Sequence, residues 1–372
     1  MYDQHKGETW TLEKPKILAF ATQGAGRDDE TRLRALLGNF QAEFYPFQQS
    51  EKIKSGLGLY RRIKALKPDL VVMEGTGIAG GTAVILNSVL RNIPYVLSSG
   101  DAIGPFIAAQ YPLLGPFFKL YEKILTRCAS GFIGWTPYLS GRAITFGCKK
   151  VMTASGWAPQ ILSLEDLKSH REKTRKALGI SENDIVVGIV GSLAWNSRVG
   201  YCYGYELVRA YPKRQDLKIL IVGEGSGRAH LEKLAGNSQN IIFTGKVPRE
   251  NVPHYLAAMD VASLPQSVDQ VGSFRYSTKL TEYMAVALPM IIGQVPMSYD
   301  LFGNIPGDWM WRMPGDSPWS ETYIQALRKL LESLNKAEIQ KKQVPRSLPE
   351  FEKEFQVRRV TEFIQDLYKG MN

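Results

Sequence analysis

Apolar runs of four to seven residues alternate along this chain with longer stretches in which apolar positions recur every three or four residues. Short buried runs separated by amphipathic helices are the pattern of βαβ units and a parallel sheet. The spacing predicts strands over 16–21 (KILAFA), 43–47 (EFYPF), 70–75 (LVVMEG), 95–100 (YVLSSG), 131–135 (GFIGW) and 150–155 (KVMTAS), which together make one six-strand doubly wound unit. A charged segment without strand signal, 158–184, follows and reads as a linker. The alternation resumes with strands over 185–192, 217–225, 241–247, 260–265 and 289–293, a second doubly wound unit. A final helix over 348–370 carries Phe351, Phe355, Val357, Val360, Phe363, Ile364 and Leu367, so one face of it must be buried.

At 372 residues the chain can hold two or three domains, and 44% hydrophobic with 22% charged residues excludes a disordered, collagen-like or coiled-coil protein. Lys plus Arg exceed Asp plus Glu, 46 against 36. Residues 1–155 hold 19 basic and 12 acidic side chains, a net +7, which leaves +3 for the rest. A basic half suits an anionic partner such as a nucleotide diphosphate, an anionic lipid or a nucleic acid, with a solvated basic face as the equal alternative. Cys128, Cys148 and Cys202 have no metal-type spacing and cannot all pair, and the four histidines are scattered, which argues for a reducing, cytoplasmic setting and against structural zinc. The polar stretch 1–16 reads as neither signal peptide nor anchor. Residues 102–118 carry no charge but are broken by Pro105, Pro112 and Pro116, a poor membrane span. A soluble protein is expected, with attachment to the inner face of a membrane left open.

Two Rossmann-like units place their ligand sites in the loops at the carboxyl ends of the strands. In the first unit, Gly24 and Gly26 follow a strand and precede Asp28, Asp29 and Glu30 at a helix start; GAG lacks the spacing of a dinucleotide fingerprint, and a tight turn explains it as well. No GxxxxGK[ST] phosphate loop occurs. In the second unit, Gly191 ends one strand ahead of Arg198, Gly223-Glu224-Gly225 ends another, and a third loop leads to a helix starting near Ser277. The N–H groups of Thr278, Lys279 and Leu280 at that start would favour a phosphate, Glu282 one turn on could accept from ribose hydroxyls, and Arg198 could neutralise a diphosphate. An ordinary solvated helix pair and a loop charge remain the plain alternative.

From about Ile185 to Gly293 the sequence resembles the donor domain of GT-B glycosyltransferases, specifically the retaining family four, in the ordered pieces GSLAWNSR, ILIVGEGSGRAHLEKL, IIFTGKVPRENVPHYLAAMDVASLP and STKLTEYMAVALPMII. The resemblance implies an α/β GT-B fold, two Rossmann-like domains facing across a cleft: an acceptor domain over 1–160, a nucleotide-sugar domain over 161–348, and a terminal helix over 349–372 packing back on the first. It implies that Glu282 holds the donor ribose as the second glutamate of an E-x7-E motif. Lys279 and Arg198 correspond to the cations on the diphosphate, and Gly191 to the glycine opening the first loop. Glu224 and Gly225 fall in a GxG-type turn, Val247 lies where backbone meets the nucleobase, and Gly24 corresponds to the glycine that approaches the distal phosphate and acceptor. The chain departs from the motif where Phe274 replaces the first glutamate, leaving sugar contacts to residues such as Ser273 or Arg275; where Ser192 replaces an arginine; and where Gly100 stands for a histidine before Asp101.

The implied reaction is a retaining transfer from an NDP-sugar to a hydroxyl of a glycan or lipid-linked acceptor, as in cell-surface polysaccharide or glycolipid synthesis. Arg198, Lys279 and the helix N-terminus would stabilise the leaving phosphate, and Asp101 would orient the acceptor, with a loop turn or helix cap as its structural alternative. The NDP-sugar is a co-substrate, and no metal or other cofactor is expected. The acceptor side falls to the basic first domain, where Arg32, Arg34, Lys52, Lys54, Arg61, Arg62, Lys64 and Lys67 lie on the first two helices; an anionic membrane surface is a further partner to test, although 117–130 reads first as a core helix. An inactive GT-B scaffold and an NDP-sugar 2-epimerase are the rival readings. A nucleic-acid partner is not expected, because the basic residues form no recognised module.

Overall fold

The computed structural model describes residues 15–158, 161–300, 309–342 and 344–371. The described chain groups into two compact units: one of residues up to 100, 120–154 and from 353 on, the other of 101–119 and 155–352.

The first unit is a parallel sheet of β1 (Ile17–Ala21), β2 (Ala42–Phe44), β3 (Leu70–Glu74), β4 (Tyr95–Ser99), β5 (Gly131–Gly134) and β6 (Val151–Thr153), in the order β2-β1-β3-β4-β5-β6. Helices cover both faces of a parallel sheet, so its inner strands need unbroken apolar runs; β1, β3, β4 and β5 are buried throughout, whereas the edge strands β2 and β6 are not. Between them lie α1 (Asp28–Leu36), α2 (Lys52–Leu66), α3 (Ile78–Arg91), α4 (Ile103–Gln110), α5 (Gly115–Arg127) and α6 (Pro137–Thr145), of which α4 and the start of α5 group with the second unit.

The expected linker contains a fourteen-residue helix, α7 (Leu164–Ala177), begun by Ser163, whose Oγ accepts the Asp166 N–H at 3.0 Å. Its low hydrophobicity hid it, since it is held by charge: Arg171 and Arg175 both pair with Asp260, at 2.5 and 2.7 Å. The second sheet follows as β7 (Ile185–Val190), α8 (Tyr205–Ala210), β8 (Leu217–Val222), α9 (Arg228–Ala235), β9 (Ile241–Gly245), α10 (Val252–Ala258), β10 (Val261–Leu264), α11 (Thr278–Ala285), β11 (Met290–Gly293), α12 (Met297–Asp300), β12 (Met310–Met313), α13 (Glu321–Ser333) and α14 (Lys336–Gln340). Its strand order is β12-β11-β10-β7-β8-β9, all parallel. Strand β12 went unread because MWRM is short, contains an arginine and is bracketed by Pro, Gly and Asp.

The last helix, α15 (Lys353–Lys369), belongs to the first unit and buries Val360, Ile364 and Leu367. It packs on α1 and β5: Asn39 Nδ2 donates to Thr361 Oγ1 at 3.1 Å, and a Cβ on Gly131 would stand 2.7 Å from a Leu367 methyl. The unit boundaries fall at 154/155 and 352/353 rather than at 160/161 and 348/349. The larger difference from the expected division is that 101–119 groups with the second unit, and its polar contacts show why. Asp101 accepts from Arg275 Nε at 2.7 Å, Arg275 lies over the Phe106 ring, and the Ala109 carbonyl accepts from Arg198.

Candidate functional site

In each sheet the strand order reverses direction once, between β1 and β3 in the first and between β7 and β10 in the second. Loops leaving the two strands at such a point diverge and open a crevice. In the second unit these are the loop after β7, with Gly191 and Arg198, and the loop after β10, which leads into α11 with Thr278, Lys279, Leu280 and Glu282.

The loops after β7 and β8 lock together through backbone. Gly191 N donates to Val222 O at 2.9 Å, Leu193 N to Glu224 O at 3.0 Å and Gly227 N to Leu193 O at 2.8 Å. Gly223 adopts φ +146°, and a Cβ there would stand 1.8 Å from the Gly191 carbonyl oxygen, so only glycine permits this approach. Gly225 is equally constrained, its Cβ falling 2.4 Å from the Leu193 carbonyl carbon. Glu224 turns its carboxylate along α9, accepting from Arg228 Nη1 at 2.6 Å, and that bond lowers its pKa.

Helix α11 starts where the sequence placed it, with Ser277 as N-cap and no side chain bonded to the cap. Lys279 lies back across the end of β7: a Cβ on Gly191 would stand 2.8 Å from its Cε, and its ammonium is 4.4 Å from the Tyr203 ring centroid. A cation over an aromatic face is held by the ring quadrupole. Leu280 differs from the expectation. Its N–H donates to Ser277 O at 3.0 Å and its side chain is buried core, because the first turn tightens into an i to i+3 bond, so of the three N–H groups expected to face a phosphate this one is engaged within its own helix. Glu282 is half-buried and lines a pocket of about 320 Å³ with Arg249, Pro253 and Leu256. Val247 is half-buried, two residues after β9.

Arg198 is exposed at the tip of a short hairpin closed by Asn196 and Tyr201, which pair through Asn196 N to Tyr201 O at 2.8 Å. Its own N–H donates to Asn196 Oδ1 at 3.1 Å and its guanidinium to Ala109 O at 2.5 Å. Asp101 is no helix cap, since Ala102 is the N-cap of α4; its carboxylate meets Arg275, one of the two residues put forward in place of the missing glutamate.

Two features escaped the sequence reading. Glu206, in an otherwise apolar turn of α8, is wholly buried; Oε2 accepts from Tyr201 OH at 3.0 Å and Oε1 from Ser263 Oγ at 2.8 Å. Burial pushes its carboxyl up to about 7. The isolated acid in YELVRA was the available signal. The other is Gly75-Thr76-Gly77-Ile78-Ala79-Gly80, a GxGxxG run between β3 and α3 in the first unit. Packing accounts for its glycines: a Cβ would fall 2.4 Å from Thr22 Oγ1 at Gly75 and 2.7 Å from the Phe20 ring at Gly80.

Gly24, also in the first unit, has φ +112° and opens the loop whose Ala25 N–H donates to Phe47 O at 2.9 Å. The basic surface expected on α1 and α2 is smaller than the count of cations suggests. Arg32 is buried, donating to Glu74 at 2.9 Å and stacking over Trp135, while Arg34 pairs with Glu30, Lys54 with Glu51 and Arg62 with Glu43. Among the described residues no group of three or more His, Cys, Asp or Glu is placed to hold a metal ion, and no helix is long and apolar enough to cross a membrane.

Residues 184–333 match the family model described as glycosyl transferases group 1. The chain is 29% identical over 106 residues to the 2-deoxystreptamine glucosyltransferase of Streptomyces kanamyceticus, covering 27% of each chain. It is 26% identical over 267 residues to a Bacillus subtilis protein named for teichuronic acid biosynthesis, the glycosyltransferase TuaC, covering 69% of this chain and 61% of that one. The match thus spans about a quarter of the first relative and under two thirds of the second. Among solved structures, HepE of Anabaena in complex with UDP and glucose superposes with a TM-score of 0.67 at 15% identity, over 95% of this chain and 100% of that one.

Proposed function

Since residues 184–333 match the family model of the group 1 glycosyl transferases and the chain has the GT-B fold, we propose that the protein transfers a sugar from an NDP-sugar to a hydroxyl acceptor with retention of anomeric configuration, the chemistry of family four. The observation that carries this reading is the placement of Lys279 across Gly191 at the switch point of the second sheet, beside an α11 N-terminus that has no side-chain cap. A diphosphate there would receive the Lys279 ammonium, the Thr278 and Lys279 N–H groups and the helix dipole. Arg198 would exchange the neutral Ala109 carbonyl for a phosphate oxygen, the stronger charge-assisted partner.

As the donor bond breaks, negative charge grows on the departing phosphate, and each preorganised cation or donor facing it is worth about 3 kcal/mol of barrier. The leaving phosphate oxygen takes the acceptor proton, so no separate base is needed. Glu282 holds the ribose and Val247 meets the base through its backbone. Gly191, Glu224 and Gly225 shape the loops around the diphosphate, while Gly24 belongs to the acceptor side. Asp101, oriented by Arg275, aligns the acceptor hydroxyl. No metal takes part in this scheme. HepE is described in complex with UDP and glucose, which supports a nucleoside diphosphate donor here.

A lipid-linked acceptor presented at the inner face of an anionic membrane is the acceptor class we favour, for glycolipid or cell-surface polysaccharide synthesis. TuaC's name, which refers to teichuronic acid biosynthesis, supports the polysaccharide part of this reading. The membrane-surface part is supported by the exposed apolar side chains of Leu113 (96%), just ahead of α5, and Phe117 (59%) in its first turn, with Lys119 two residues on.

The donor reading is tested by thermal shift with UDP, GDP, ADP, CMP and TDP on the wild type, Arg198→Ala and Glu282→Ala. A nucleotide at a hundred times its Kd stabilises by about 2.7 kcal/mol. One nucleotide should shift the wild type and neither variant; no shift with any of them would sink the donor site and favour a role as a protein partner.

A further inference from the structure

Glu206 stands under the candidate donor site rather than in it, and its two oxygens reach both halves of that site. Through Oε2 it holds Tyr201 OH, 3.0 Å away. Tyr201 is the closing residue of the hairpin: its backbone pairs with Asn196, which in turn receives the Arg198 N–H on its side chain and the Gly200 N–H on its carbonyl. Through Oε1 it holds Ser263 Oγ, 2.8 Å away on β10. The Ser263 carbonyl accepts from Tyr283 OH at 3.1 Å, and Tyr283 lies on α11 one turn beyond Lys279. Tyr203, whose ring faces the Lys279 ammonium, lies two residues from Tyr201.

The cost of placing an acid here is large and is met by no cation. Among the described residues no arginine, lysine or histidine lies in hydrogen-bond or ion-pair reach of Glu206. The titratable groups that face it are Tyr201 and Cys202 from the hairpin, Tyr283 from α11 and Tyr323 from α13, whose buried hydroxyl has no hydrogen-bond partner. A leucine would fill the same space without that penalty. A buried polar bridge that is dearer than its apolar equivalent specifies geometry, here the distance between the hairpin and α11.

We propose that Glu206 is a positioning residue for the donor diphosphate, fastening the hairpin that carries Arg198 to the strand and helix that carry Lys279. This rests on the donor reading above. Loss of the bridge leaves the fold and the base-and-ribose contacts in place but lets the two cations drift apart, so it weakens binding of the diphosphate and not of the nucleoside.

The test titrates UDP, GDP, ADP and TDP, and the matching nucleosides, into wild type, Glu206→Leu, Glu206→Gln and Tyr201→Phe, with Tm recorded for each. Glu206→Leu should lose at least about tenfold in diphosphate affinity, the effect of one broken buried bond, with nucleoside affinity unchanged. Glu206→Gln, which keeps two polar contacts, should stay within about threefold of wild type on the same scale. Tyr201→Phe deletes a single hydroxyl and should follow Glu206→Leu, so the outcome does not depend on one variant folding. Diphosphate affinity left intact in both Glu206→Leu and Tyr201→Phe, or lost in equal measure with nucleoside affinity, overturns the proposal while the donor reading stands. A wild type that binds none of the four diphosphates overturns both.

Discussion

Replacing Glu206 by Gln should make the second unit more stable at alkaline pH. In the folded chain the carboxyl is wholly buried against neutral hydroxyls, and burial raises its pKa from 4.5 to about 7. An acid with a raised pKa binds more protons folded than unfolded between those two values, so stability is full below about pH 4.5 and is lost as pH climbs through about 7. At about 1.4 kcal/mol for each pH unit between the two, the loss comes to about 3–4 kcal/mol. Glutamine keeps the shape and the polar contacts and has no proton to lose. Wild type and Glu206→Gln should therefore be equally stable near pH 4.5 and separate by about 3–4 kcal/mol at pH 8, or roughly 6–16 °C in Tm for a unit of this size. Melts followed by tryptophan fluorescence from pH 4.5 to 8 measure it, since Trp195, Trp309, Trp311 and Trp319 all lie in that unit. Taking the difference between the two proteins cancels the titration of every other carboxylate. Parallel curves across the range would show that Glu206 ionises as an ordinary surface acid and that the argument from its burial is wrong.

Asp260→Ala removes the carboxylate shared by Arg171 and Arg175 and leaves the buried Arg175 charge uncompensated, which should cost about 3–5 kcal/mol; a loss under 1 kcal/mol in urea denaturation would mean that solvent reaches this pair. Liposomes rich in anionic lipid should float the wild type at low salt and release it at high salt, with Leu113→Ser/Phe117→Ser floating less; a wild type that stays at the bottom at low salt ends the membrane-surface idea.

The strands of both sheets were readable because a buried parallel strand needs an unbroken apolar run, and ten of the runs read this way contain or closely match the strands found. The start of α11 was readable for a similarly local reason, the Ser-Thr pair ahead of an apolar repeat. The reading failed where an element is held by something other than apolar periodicity. Helix α7 is secured by arginines on Asp260, and β12 is a short strand that, among the described residues, pairs with β11 alone. Arg32 reads as one more surface cation on an amphipathic helix, yet it lies under Trp135 and on Glu74, residues 103 and 42 positions away, and nothing near it in sequence announces them.

By itself the sequence determined the two doubly wound units, the order of their strands along the chain and the identity of the glycines, cations and acids at the strand ends, since these follow from local pattern and residue chemistry. Only the tertiary structure decided what each of those residues touches. It turned Glu224 toward Arg228, engaged Asp101 with Arg275, drew Lys279 across Gly191, used the Leu280 N–H inside its own helix and bonded Glu206 to both Tyr201 and Ser263. The physical reason is that hydrogen bonds and ion pairs act over about 3 Å, whereas the partners they join here come from elements up to 174 residues apart.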